Sequence, residues 1–575
     1  MSPSTAPPPP GAEGEDPQWF GPPGAALYGV VTLPERSRGV VVIAPPFGRE
    51  SRASRFALRR LAADLAAAGF GSVRYDHPGT GDSSGSLDDP EVGRAWVGAV
   101  GAAVTFARDL GAGPVAAVGM RMGATVLGVA AAESDLGLDA LILWDPCASG
   151  RRFLREVGAL EALRREGAGP RGDGSVESTD FLLDVAAVRS LGGLDLARAV
   201  GRRLAARVLV LVREDRTPAP EVTRLAESEG AELRAVPGQG PLLDVEPLAA
   251  RLPLAALATS VEWLTEGRPT VSEVSRPQRR LSHLVADGEV RESVVRVGRR
   301  GLVAIVDEPA RQPVRGPLVL FLNTANGDHS GPARLWVTLS RAWAARGLRC
   351  ARFDLSGVGD SPRVYGDRLH VFYEPEWIDD VTDAVSAISA LDPSEVVYVG
   401  LCSGVPLALD AARRLGAREV VAVNPPVGTD AAVAIMRLGL SRWPACRGLS
   451  RAWARFAYRA RWKNALVFNA ARRLLPMLGP DVMAEVARRG VALTVYASRE
   501  DLETPSRLPL LRSVDRHRIA APRGYAVELV EDLDHSMHTE AARRAVVARL
   551  ESRLADAWID KRAEALGPGG HHDDE

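Results

Sequence analysis

Residues 396–415 read VVYVGLCSGVPLALDAARRL, and the whole fold can be worked out from this stretch. VVYV (396–399) is a short apolar run of the kind a strand buried on both faces requires. VPLALDAARRL (405–415) reads as the helix that follows. Between them lies GLCSG, Gly400 to Gly404. A strand that turns into a helix through G-x-nucleophile-x-G holds its central residue in a strained conformation, and the tightness of the turn demands small residues two positions to either side. Gly400 and Gly404 bracket position 402, so Cys402 takes the nucleophile position. Ser403 follows it, where its backbone N–H rather than its hydroxyl would help to hold an oxyanion.

Working outward, the chain is written twice. GVVVIAPPFG (39–48) corresponds to GPLVLFLNTA (316–325). FALRRLAADLAAAGFGSVRYDHPGTGDSSG (56–85) corresponds to LWVTLSRAWAARGLRCARFDLSGVGDSPR (335–363). Further on, AVGMRMGATVLGVAAA matches YVGLCSGVPLALDAA, ALILWDPCASG (140–150) matches EVVAVNPPVGT (419–429), and RVLVLVRED (207–215) matches ALTVYASRED (492–501). Strands alternating with helices imply right-handed crossovers and a mostly parallel sheet covered on both faces. The expected class is therefore α/β, with two tandem domains: 21–268 and 286–562, joined by a polar, Pro-bearing linker over 269–285. In each copy a segment between the fourth and fifth matched strands breaks the rhythm, at about 147–206 and about 428–490, and predicts a helical cap. A Pro-rich leader (1–20) and a tail (563–575) are expected to be disordered.

Strand, elbow and following helix resemble the α/β-hydrolase fold, across essentially 28–265 and 290–560. The helix GPARLWVTLSRAWAARG (331–347) is similar to that of hydrolases from bacterial exopolysaccharide and exosortase-associated gene clusters. Cysteine in the elbow resembles dienelactone hydrolases, although Val405 stands where those often carry a second glycine. The resemblance implies the order nucleophile, acid, histidine. After ALTVYAS come Arg499, Glu500 and Asp501, and Asp501 fits the acid position with Glu500 as its alternative. AVELVEDLDHSMH (526–538) supplies His535 as general base, with His538 as a surface alternative. The second oxyanion donor is expected from the backbone N–H of Ala325. Cys147, Cys350 and Cys446 read as small buried hydrophobes. Asp354 and Asp360 read as turn-fixing residues, and His329 either caps the following helix or touches substrate.

The first copy has Arg121 where Cys402 stands. It keeps Asp215 at the acid position, and VPGQGPLLD (236–244) replaces the histidine-bearing segment. No histidine occurs between His77 and His283. Lacking nucleophile and base, this copy reads as a pseudo-hydrolase, either a scaffold or, through Arg121, an anchor for an anionic group.

Composition narrows the function further. A formal net charge of −1 gives no global field for nucleic acid or an anionic membrane. No segment approaches the roughly 20 apolar residues that span a bilayer, the N-terminus lacks the features of a signal peptide, and a cytoplasmic location is expected. The four cysteines show no metal-ligand or CxxC spacing, and no metal or cofactor motif is present. From Ala431 to Pro480 there is no acidic residue, while tryptophans 443, 453 and 462 interleave with arginines. Three readings fit this stretch: a solvated basic cap face, a dock for an acidic acyl donor such as acyl carrier protein or coenzyme A, or a membrane-surface helix. The expected activity is cleavage of an ester or thioester through a covalent acyl-enzyme on Cys402, His535 and Asp501. Acyl transfer to an amine or alcohol is one alternative, and an inactive binding module is another.

Overall fold

The computed structural model describes residues 14–111, 113–164, 172–267, 278–322, 324, 327–363, 373–388, 395–426, 482–499, 524–535 and 537–556. The chain forms two compact units, Glu13–His283 and a second that begins at Leu284.

The first unit is built on an eight-stranded sheet. Its strands are β1 (Glu15–Phe20), β2 (Leu27–Thr32), β3 (Val40–Ala44), β4 (Gly71–Tyr75), β5 (Val115–Met120), β6 (Ala140–Trp144), β9 (Arg207–Arg213) and β10 (Glu232–Val236), in the order β1-β2-β4-β3-β5-β6-β9-β10. The intervening β7 (Val176–Glu177) and β8 (Leu182–Leu183) pair only with each other. The sheet of the second unit is made of β11 (Ser282–Val285), which begins two residues before the boundary, β12 (Val290–Val297), β13 (Leu302–Pro309), β14 (Leu318–Leu322), β15 (Arg349–Phe353), β16 (Val396–Leu401), β17 (Glu419–Val423), β18 (Ala492–Ser498) and β19 (Tyr525–Val530). Its order is β11-β12-β13-β15-β14-β16-β17-β18-β19. Apart from β11, the two sheets agree in order and in the sense of every pairing. The first two steps are antiparallel, and all later ones are parallel.

Strands β3 and β14 are apolar throughout because both of their faces are covered. In β14, Leu318, Leu320 and Leu322 enter one hydrophobic cluster, whereas Val319 and Phe321 enter another on the opposite face. Alternate side chains of an extended chain point to opposite sides, so a strand feeding two cores cannot alternate apolar with polar. The chain leaves β14 for β15 on one side and returns to β16 on the other. That reversal opens a crevice at the carboxyl ends of β14 and β16, where open α/β sheets place their sites.

The leader expected through residue 20 ends sooner than its composition suggested. Glu15–Phe20 pairs antiparallel with β2, and Trp19 and Phe20 are almost fully buried. The two aromatics supply the apolar burial that holds this strand in the sheet. The linker expected over 269–285 ends in β11, and its residues 269–277 lie outside the described residues, as does the tail.

Between β6 and β9, where a cap was expected, the described residues form helix Gly150–Arg164, the β7–β8 pair, helix Val185–Gly192 and a 3-10 turn Leu196–Ala199. They pack down onto their own sheet. Phe181 stacks on Phe47 with ring centroids 4.3 Å apart, and Phe153, Leu183 and Leu191 join the same cluster. In the second unit, residues 427–481 lie outside the described residues, and with them the whole basic stretch 431–480.

Candidate active site

The site begins at the end of β16. Cys402 has φ 48°, inside the left-handed region that side chains other than glycine rarely enter. Its N–H donates to Val423 O at 2.9 Å, and its carbonyl accepts from Val405 N at 3.0 Å, closing the turn into helix Gly404–Leu415. Gly400 is required by contact: a Cβ there would lie 2.9 Å from the backbone of Gly404 and Val405. Pro406 falls in the first helical turn, where its missing N–H is no loss. Ser403 is buried and stands at the N-cap position of the helix. These local rules leave the Cys402 side chain part-exposed over the crevice.

His535 arrives from the loop after β19. Its Nε2 lies 3.4 Å from Cys402 Sγ, within hydrogen-bond reach of a sulfur. The loop is tightly pinned. Asp534 accepts from the His538 and Thr539 N–H groups at 2.9 and 3.1 Å. Thr539 in turn caps helix Glu540–Leu550 by accepting from Ala542 N. The Arg543 guanidinium donates to the carbonyls of Met537 and His538. His538 is half-exposed, and its Nδ1 is 3.8 Å from Asp534 Oδ1. Of the two histidines it is His535 that meets the thiol.

Asn424, the residue immediately after β17, is fully buried with φ 46°. Its Nδ2 donates to the carbonyls of Asp534 (2.9 Å) and His535 (3.0 Å), and its Oδ1 accepts from Ser498 N at 2.9 Å. Sequence reasoning passed over it, although a polar residue directly after four apolar ones, opposite Asp145 in the other copy, was a usable signal. Burial, then the nearby Cys402 sulfur, holds the Tyr373 phenol above the ordinary range. His329 is neither a helix cap nor open to solvent. Its N–H donates to Asp354 Oδ1 and its Nδ1 lies 2.8 Å from Asp354 Oδ2, both side chains being buried. Asp354 also accepts from Asp360 N at 2.9 Å, the turn-fixing role expected of these two residues.

Asp501, Glu500 and Ala325 lie outside the described residues, as does Cys446. Cys147 and Cys350 are buried, and burial pushes both thiols up, away from reactivity. Among the described residues no helix is long and apolar enough to cross a membrane.

The first unit builds the same turn with different side chains. Arg121 has φ 54° and its N–H donates to Trp144 O at 2.9 Å; Asp145 has φ 43° and its N–H donates to Leu211 O at 2.7 Å. Asn424 N donates to Tyr496 O at 2.8 Å in the same way, so Arg121 matches Cys402 and Asp145 matches Asn424. The Arg121 guanidinium faces carboxylates: Glu50 at 3.0 Å, Asp145 at 3.2 Å and Glu156 at 3.8 Å. An incoming anion would meet these three acids, and the anion-anchor expectation is dropped on that ground. Asp215 is held bidentately by Arg213, at 2.9 and 2.7 Å, which pulls its carboxyl down to about 2. By the Trp144–Leu211 and Val423–Tyr496 pairs, Arg213 at the end of β9 is level with Ser498 at the end of β18. After β10, buried Gln239 accepts from Trp144 Nε1 and donates to Val212 O and Val236 O.

Residues 319–549 match the family model described as the alpha/beta hydrolase family, and the second unit contains an α/β-hydrolase domain. Similar solved structures include Est1E from Butyrivibrio proteoclasticus with ferulic acid bound, at 19% identity over 43% of this chain and 98% of that one, TM-score 0.33. Proline iminopeptidase from Mycobacterium smegmatis is similar at 16% identity over 43% of this chain and 97% of its own, TM-score 0.32. An esterase from Pyrococcus furiosus is similar at 15% identity over 44% and 90%, TM-score 0.33. No curated protein matches the chain.

Proposed function

We propose that this α/β-hydrolase domain cleaves an ester or thioester through an acyl-enzyme on Cys402. One observation carries the reading: a cysteine in a strained strand-to-helix turn with His535 Nε2 3.4 Å from its sulfur. An inert binding module would tolerate a separation beyond about 6 Å, outside even loose apo geometry.

His535 takes the Cys402 proton, and the thiolate adds to the acyl carbon. Negative charge collects on the carbonyl oxygen, which the backbone N–H groups of Ser403 and Ala325 receive. As the tetrahedral species collapses, the bond to the leaving oxygen or sulfur breaks and His535 returns its proton to that atom. Water, deprotonated by His535, then attacks the Cys402 thioester and releases the carboxylic acid and the thiol. Asp501 orients the imidazole and stabilises its charged form. Metal and cofactor have no part in this scheme. Because the intermediate is a thioester, amine or alcohol acceptors compete with water, and acyl transfer is the second reading. The basic stretch 431–480 suits an acidic acyl donor such as acyl carrier protein or coenzyme A. The first unit is read as a pseudo-hydrolase whose nucleophile position is held by Arg121 among its carboxylates.

Brief mixing with a panel of acyl thioesters and activated esters, followed by intact-protein mass spectrometry, tests the proposal. The expected result is a mass gain equal to the acyl group, absent in Cys402→Ala and kept in Cys147→Ala. A gain that survives Cys402→Ala would remove Cys402 from the mechanism. With added amines or alcohols, product consisting only of free acid would exclude the transferase reading.

A further inference from the structure

The buried amide of Asn424 sits where three separately delivered parts of the site converge. It follows β17, whose last residue, Val423, accepts the Cys402 N–H. Its Nδ2 holds the carbonyls of Asp534 and His535, and its Oδ1 holds the N–H of Ser498, the last residue of β18. We propose that Asn424 is the positioning residue of this site: its side-chain amide sets the distance of His535 from Cys402 and ties Ser498, the last residue of β18, to the same point. The proposal rests on the Cys402–His535 reading and goes beyond it by naming what enforces that pair.

The chemistry of the residue is specific. Holding two carbonyls and one N–H at a single point needs two donors and one acceptor on a short planar group, which asparagine supplies and aspartate does not. An aspartate here would set a carboxylate oxygen against two carbonyl oxygens. The backbone, at φ 46°, lies in a region that asparagine, aspartate and glycine enter with least strain. The first unit provides an internal comparison: Asp145 at the matching place keeps the positive φ and the strand-end hydrogen bond, but turns its carboxylate to Arg121. Nucleophile and amide have changed together between the two units, as expected if the amide serves the reactive pair rather than the turn itself.

Asn424→Asp and Asn424→Gly in the full chain separate the amide from the backbone, since both residues accept the positive φ and the first unit already folds with aspartate there. The measurement is the rate of iodoacetamide alkylation at Cys402 as a function of pH, read on its own peptide by mass spectrometry, with His535→Ala alongside. Wild type is expected to react at a pH below that of an ordinary thiol. His535→Ala and both Asn424 variants are expected to shift the profile upward, with about tenfold slower alkylation near neutral pH. Thermal unfolding shows which variants are folded. If folded Asn424→Gly or Asn424→Asp keeps the wild-type profile while His535→Ala shifts it, Asn424 is structural only and the positioning role falls. If His535→Ala also keeps the wild-type profile, the Cys402–His535 reading falls and the positioning role falls with it.

Discussion

The two histidines that sequence singles out in the two copies have opposite fates, and burial accounts for both. His535 stays part-exposed beside a sulfur. His77, in the loop that the first copy shares with Asp354 of the second, is buried, stacks on Trp96 at 4.5 Å and lies 3.0 Å from Pro45 O through Nε2. Burial depresses its basicity from 6.5 to about 4. Between those values the unfolded chain takes up a proton that the native state refuses. The contribution of His77 is therefore fully present above pH 6.5 and is lost as pH falls toward 4, by a total on the order of 3 kcal/mol. Urea midpoints at pH 7.5 and 4.5 should accordingly fall further in wild type than in His77→Gln. Equal falls in both proteins would mean that the ring is protonated in the native state.

At the level of the element, the strand–turn–helix unit works because its backbone atoms approach too closely for side chains. A methyl at position 400 would press on the backbone of Gly404 and Val405 at 2.9 Å, and backbone cannot swing aside as a flexible side chain can. Gly400→Ala should destabilise the second unit by about 1–3 kcal/mol and slow acylation of Cys402 by displacing the turn. Gly98, on the exposed face of helix Val92–Asp109, is the control: nothing lies within 4 Å of a methyl there. Gly98→Ala should stabilise by about 1 kcal/mol through helix propensity alone. Chemical denaturation of both variants, with wild type, reads the two signs. Much of this element was readable beforehand, because the demand for small residues at 400 and 404 is a local rule of the turn. The loop that delivers His535 obeys no such rule. Its shape comes from Asp534, Thr539, Arg543 and Asn424, only some of them neighbours in sequence.

For the molecule as a whole, the two sheets repeat one topology and put it to different uses. The second unit sets a thiol against an imidazole, while the first has put a guanidinium among carboxylates at the same turn. Burial raises the carboxyl groups of Glu50 and Asp145, with Arg121 pulling the other way. Arg121→Ala would leave Glu50 and Asp145 without that counter-charge, an imbalance that typically destabilises by about 3–5 kcal/mol. A lowered first unfolding transition with an unchanged rate of Cys402 acylation is the expected result. Slower acylation in fully folded Arg121→Ala would give the first unit a part in catalysis, and an unchanged transition would mean the carboxylates need no partner.

Features that depend on neighbours along the chain were legible without coordinates: the buried strands, the elbow glycines, Cys402 rather than Ser403 at the turn, and the duplication of the whole pattern. Such features follow from sterics and periodicity within a few residues. Tertiary structure alone decided which distant groups meet. Cys402 and His535 are 133 residues apart, and only the order of β16, β17, β18 and β19 brings their loops to one crevice. The same reason explains what composition misjudged. Glu15–Phe20 belongs to the sheet because β2 offers it an edge, and Arg121 faces acids because the chain folds Glu50 and Asp145 around it. A contact across a sheet is fixed by strand order and register, and neither is a property of any single segment.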